Sequence, residues 1–156
     1  MKLLKNSIKN IKFRIRYFLL FRGRKKIKFN VGSGIFKIDK EWFATDMETL
    51  NITKDADWRK LLFYHRVNNI MAEHVWEHLT ETDTILANKN CYKYLKPNGI
   101  LRLAVPDGFH PDKGYIEYVR PGGHGAGADD HKVLYNYISL KNILEKAGFE
   151  VHLLEY

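Results

Sequence analysis

Apolar residues in this chain come in short runs that stop abruptly at glycine or at a carboxylate. Residues 27–31 alternate apolar and polar and break at Gly32-Ser33-Gly34, and residues 42–45 run into Asp46. Residues 67–72 carry no charge and give way to Glu73, His74, Glu77 and His78. A fourth run, 100–105, is interrupted only by Arg102 and ends at Pro106-Asp107-Gly108. Runs of this length bounded by turn residues predict strands. A minor strand is expected near Asn51 and Ile52, and a last one over 149–156. Between the runs the period becomes helical. Asp55, Asp57 and Trp58 precede Leu61 and Leu62, predicting a short helix within 53–64. Thr80-Glu81-Thr82-Asp83 has a capping-box pattern and leads into Ile85, Leu86, Tyr92 and Leu95, until Lys96-Pro97-Asn98-Gly99 turns the chain. Ser139 is the expected cap of a final helix that runs through Ala147 and stops at Gly148.

The N-terminus follows another pattern. Leu4, Ile8, Ile11, Ile15 and Phe18 recur at spacings of four and three among Lys5, Lys9, Lys12, Arg14 and Arg16, as in a basic amphipathic helix. Such a segment lies on a membrane surface, with Phe18, Leu19, Leu20 and Phe21 in the acyl boundary, packs on the domain as a helix, or is a poorly ordered leader. The charges that persist through its apolar part set it apart from a signal peptide. Residues 1–26 thus read as a helix and linker, and 27–156 as the domain.

Charge sharpens this division. The net charge is +8, yet residues 1–28 hold eleven Lys and Arg and no acid, leaving fifteen basic against eighteen acidic residues in the remainder. A domain of that balance lacks the positive stripe of a nucleic-acid-binding core. The 156 residues suffice for one domain, the single Cys91 forms no internal bridge, and no apolar run of about 18 residues suits a membrane span. These features predict a cytoplasmic protein, peripheral at the inner membrane face if the basic helix binds lipid.

Candidate chemistry gathers at the strand ends. In the Gly32-Ser33-Gly34 turn the missing side chains would let a ligand approach the backbone, although an ordinary tight turn has the same composition. Asp46, at the end of the adjacent strand, could accept hydrogen bonds from two ribose hydroxyls. Strand, glycine turn, strand ending in acid, strand ending in acid, helix, strand is the order of an α/β nucleotide-binding domain. His74-Val75-Trp76-Glu77-His78 also fits H-x-x-E-H, which on a helix would present two histidines to zinc with Glu77 as the base of a hydrolase. The 26 residues from 106 to 131 read as a glycine-rich loop bearing Asp107, His110, Asp112, His124, Asp129, Asp130 and His131, a composition for binding. Its carboxylates and histidines could hold a divalent cation, but no residue is assigned as a metal ligand.

Four segments carry a resemblance. Phe29-Asn30-Val31-Gly32-Ser33-Gly34, Trp42-Phe43-Ala44-Thr45-Asp46, Ala72-Glu73-His74-Val75-Trp76-Glu77-His78-Leu79, and Leu95-Lys96-Pro97-Asn98-Gly99-Ile100-Leu101-Arg102-Leu103-Ala104-Val105-Pro106-Asp107 resemble, in this order, class I S-adenosylmethionine-dependent methyltransferases. The resemblance covers residues 27–156 and implies a Rossmann-like, mostly parallel sheet flanked by helices. It places Gly32, Ser33 and Gly34 against the methionine part of S-adenosylmethionine, Asp46 on its ribose and Asp57 with Trp58 at its adenine. Glu73 and His74 would face the sulfonium and the acceptor.

The acceptor implied is a small molecule or a glycan, lipid-linked if the N-terminal helix meets a membrane. For a hydroxyl acceptor, Asp107, His110 and His74 are the candidate catalytic groups, with His124 and His131 as further candidate bases. The chain departs from the family pattern in two respects. Only seven residues separate Gly34 from Trp42, too few for a crossover helix, and the family's last antiparallel strand is missing after residue 155. A truncated cofactor-binding protein without catalysis is therefore the alternative expectation, with the zinc hydrolase behind it.

Overall fold

The computed structural model describes residues 26–34 and 40–154, together with Ile15 and Phe21. Four parallel strands, β1 (Lys28–Val31), β2 (Trp42–Ala44), β3 (Val67–Glu73) and β4 (Leu95–Ala104), form one sheet in the order β2-β1-β3-β4. Lys28 lies beside both Trp42 and Asn69, so β1 is central, and β3 joins it to β4 from Asn69↔Ile100 to Glu73↔Ala104. Within residues 40–154 the α-helices are α1 (Asp55–Leu62), α2 (Glu81–Tyr94), α3 (Lys113–Val119) and α4 (Tyr137–Glu145). This is an α/β fold with an all-parallel sheet, compatible with the expected Rossmann-like architecture. The chain crosses from β1 to β2 on one side and returns to β3 on the other, so the strand order reverses between β1 and β3, where open sheets of this kind bind ligands at their C-terminal ends.

The core is built on aromatic rings. Trp58 is fully buried, stacked on Tyr94 with ring centroids 5.3 Å apart and on Phe29 at 6.2 Å, while its Nε1 donates to the Ile52 carbonyl. Phe21 is 2% exposed and packs edge-on against Phe43 at 5.0 Å, so it belongs to the core and not to an acyl boundary. Ile15, 54% exposed, is the only other described residue of the expected N-terminal helix, whose remaining positions lie outside the described residues.

Five expectations change on folding. No strand forms at Asn51 and Ile52, because the Asn51 side chain accepts from the Thr53 backbone N–H at 3.0 Å and from its hydroxyl at 2.8 Å, closing a turn. Residues 149–154 form no strand. Residues 106–131 are not structureless: α3 lies within them, capped by Asp112, whose Oδ1 accepts from Gly114 N at 2.7 Å. The last helix is capped by Asn136, with Ser139 three residues inside it completing a reciprocal capping box. Finally, Ile85, Leu86 and Tyr92 face outward on α2, and Thr84, Ala87, Asn88, Asn90 and Cys91 face inward. The predicted turn at Lys96-Pro97-Asn98-Gly99 persists as an irregularity inside β4, with Asn98 left-handed at φ 60°.

Candidate functional site

The ends of β1, β2 and β3 bring two groups of candidate residues to one edge of the sheet. At the first, Gly32 and Gly34 have φ of 63° and 52°, which glycine adopts without strain. A methyl group at Gly32 would collide with the side chain of Val75, so this glycine lets the end of β1 approach the segment after β3. At Gly34 no atom of the described residues lies within 4 Å of the corresponding position. Ser33 N donates to Thr45 O at 3.0 Å, and Gly34 N donates to Asp46 Oδ2 at 3.1 Å, so the glycine turn is tied to the end of β2. Asp46 is exposed, and its Oδ1 accepts from Met47 N. Each oxygen has two lone-pair positions, leaving this carboxylate capacity for ligand hydroxyls.

The second group starts where β3 ends. Glu73 is exposed and ion-paired with Arg102 of β4. His74 follows at φ 55°, a sharp left-handed turn secured by its N–H donating to Ala104 O at 3.0 Å. The chain then enters the single 3₁₀ turn Trp76–His78. Trp76 is buried and its Nε1 donates to Asn88 Oδ1 at 2.8 Å, fixing this turn to α2. The Glu77 carbonyl accepts from Lys132 N at 2.7 Å and Val133 N at 3.3 Å, which draws the end of the long connection, with His131, against it.

Three histidines converge here, and in each the Nδ1 faces an acceptor. His74 Nδ1 lies 3.1 Å from Glu77 Oε1, His78 Nδ1 lies 3.4 Å from Asp130 Oδ2, and His131 Nδ1 lies 2.7 Å from the Val119 carbonyl oxygen. Carbonyls and carboxylates only accept, so Nδ1 carries the proton and each neutral ring keeps a lone pair on Nε2. The Lys132 ammonium, 2.6 Å from Asp130, holds that carboxyl below its usual range. Nearby, Tyr135 pairs with Thr84 at 3.1 Å; burial raises its hydroxyl above the usual range, and the negative charges of Glu77 and Glu81 add to the rise. His74, His78 and His131 line an open cleft of about 320 Å³ together with Pro106, Tyr115 and Tyr118.

The expected site residues separate accordingly. Gly32, Ser33, Gly34, Asp46, Glu73 and His74 all lie at the C-terminal ends of β1, β2 and β3. Trp58 does not join them: it is 0% exposed and stacked with Tyr94 and Phe29, which leaves no ring face open to an adenine, while Asp57, before it on α1, accepts from Asn51 N at 3.3 Å. Asp107 closes a turn by accepting from Phe109 N at 2.9 Å. His110 accepts at Nδ1 from Asp112 N at 3.2 Å, so its neutral ring carries the proton on Nε2 and presents a donor where a general base needs a lone pair. The H-x-x-E-H motif does not lie on one α-helix, since His74 precedes the 3₁₀ turn, and the zinc arrangement expected of it is not formed.

Among the described residues, the donors that do gather are Glu77, His78 and His131, whose ligand-type atoms lie within 4.8 Å of one another. Each was visible in the sequence, but the helical reading of the motif paired His78 with His74 and left His131 to the loop. The remaining loop groups are dispersed: Asp112 caps α3, His124 is exposed against Tyr118, and Asp129 is exposed. No family model matches the chain, and no curated protein does.

Proposed function

We propose that the chain is a class I methyltransferase-type protein that transfers the methyl group of S-adenosylmethionine to a hydroxyl of a small molecule or glycan. The observation that carries this reading is the Gly32–Gly34 turn tied to Asp46 beside the point where the strand order reverses. The residues suit the cofactor in two respects: among the described residues nothing crowds Gly34, and Asp46 offers an ionisable acceptor to vicinal hydroxyls. When bound, S-adenosylmethionine supplies a methyl group on an electron-poor sulfur. The protein's part is to hold the acceptor in line with that methyl in a water-poor cleft and to take up the hydroxyl proton.

His74 suits the second task. Its ring is 71% exposed, Glu77 fixes its Nδ1, and its Nε2 lone pair is free to receive a proton. In this role His74 is the base and Glu77 the group that orients it. Calorimetric titration with S-adenosylmethionine should show binding that weakens at least about tenfold in Asp46→Ala, the equivalent of one charge-assisted hydrogen bond. No binding by the intact chain would overturn the reading. His74→Gln should bind the cofactor normally yet form S-adenosylhomocysteine far more slowly with a hydroxyl-bearing glycan. A protein that binds the cofactor and methylates nothing would be the non-catalytic binding protein instead.

A further inference from the structure

Glu77 is the anomaly of this molecule. Its side chain is 1% exposed; Oε1 is engaged by His74, and Oε2 has no hydrogen-bond partner among the described residues. A buried carboxylate oxygen left without a partner costs stability, and such a group points to something that completes it. We propose that Glu77, His78 and His131 bind one divalent transition-metal ion of the zinc class, with a further coordination position open to the cleft.

The donor set fits that chemistry. One carboxylate and two imidazoles are ligands that suit zinc and its neighbours better than magnesium or calcium, which favour oxygen alone. The two histidines are already oriented as ligands. Val119 O fixes His131 and Asp130 fixes His78 through Nδ1, leaving Nε2 for a metal, the outer-shell arrangement that holds ligating histidines elsewhere. With bonds of about 2.0–2.1 Å, a tetrahedral ion needs ligand atoms about 3.3 Å apart. The ligand-type atoms now lie within 4.8 Å of one another, so binding would draw the three side chains together.

Position adds a second argument. His78 and His131 line the cleft, and Glu77 is buried behind them, so an ion between the three faces the cleft with its remaining site. His74 lines the same cleft, its Nε2 free to act on a hydroxyl or water at that position. Gly127, at φ 80°, brings the connection close to His78: a Cβ there would lie 3.6 Å from the imidazole Cε1. The competing arrangement is a protonated imidazole donating directly to Glu77, and it requires no metal.

The test uses the untagged full chain after chelator treatment. Titration with Zn(II) should give one equivalent bound, and Co(II) should give the visible absorption of a four- or five-coordinate site. His131→Gln and Glu77→Gln should each weaken Zn(II) binding at least about tenfold, since loss of even an outer-shell partner costs that much. Because both positions are buried, the half-exposed His78→Gln serves as a variant that folds more safely, with the same loss expected. Less than stoichiometric binding, or binding unchanged in His78→Gln and His131→Gln, would overturn the proposal in favour of the direct Glu77–imidazole bond. Asp46→Ala should retain full Zn(II) binding while binding S-adenosylmethionine at least about tenfold more weakly, so the metal and cofactor readings fail separately.

Discussion

Two buried regions that both touch α2, one around Trp58 and one around Glu77, treat their polar atoms in opposite ways. Around Trp58 polar groups are matched: the indole N–H and Asn90 Nδ2 both reach the Ile52 carbonyl, and the Tyr94 hydroxyl donates to Asp55 Oδ1 at 2.7 Å. Around Glu77, three imidazoles and one carboxylate share a small space, and one carboxylate oxygen is left over. The first region is stabilised by complete pairing beneath stacked rings, whereas the second concedes stability at a position that opens on a cleft. Incomplete pairing beside a cleft marks where a ligand is to be sought.

The largest expected effect falls on the aromatic side. Trp58→Ala should lower stability by about 3–5 kcal/mol, read as a shift in the urea midpoint, because the neighbouring rings cannot close the cavity. Trp58→Phe separates packing from ligand binding. It should leave S-adenosylmethionine affinity unchanged, and a large loss of affinity would return this residue to the cofactor site. Asn88→Ala comes next, at about 1–3 kcal/mol, because it orphans the buried Trp76 N–H. Glu77→Gln should behave otherwise. In metal-free protein it should cost less than about 1 kcal/mol, since it removes a buried charge that is only half paired. If it costs as much as Asn88→Ala, Glu77 Oε2 has a partner and the contrast between the regions disappears.

The smallest effect belongs to the group of Asp55, Lys93 and Tyr94 at the edge of the Trp58 region. Hydrogen bonds from Lys93 first, and from Tyr94, hold the Asp55 carboxyl below its ordinary 3.8. A carboxyl whose folded-state value is depressed adds stability above its unfolded value and loses it as pH falls through the folded value. Lys93→Met should therefore be slightly less stable than wild type at neutral pH and converge with it in acid once Asp55 is protonated. Unfolding curves at pH 7 and well below 3.8 measure the difference.

Much of the scaffold is legible in the apolar runs. Residues 28–31, 42–44 and 67–73 form strands where the pattern places them, since a short buried run ended by glycine or acid has few other ways to satisfy its backbone. The reading fails where neighbours set the demand. On α2 the apolar Ile85 and Leu86 turn outward while Asn88 and Asn90 turn inward, because the surfaces beneath α2 present the Trp76 N–H and the Ile52 carbonyl. Asn51 likewise closes a turn with its own side chain where a strand was expected.

The sequence by itself determines a parallel α/β sheet with glycine and acid at its strand ends, through periods and stop signals that act over a few residues. Which of its seven histidines meet was decided only by the tertiary structure. His78 and His131 are far apart along the chain, and hydrogen bonds from Lys132 and Val133 to the Glu77 carbonyl bring them together. No local pattern encodes that closure, because it depends on how a long connection packs back over the end of β3. That packing leaves Glu77 buried, with one oxygen short of a partner among the described residues.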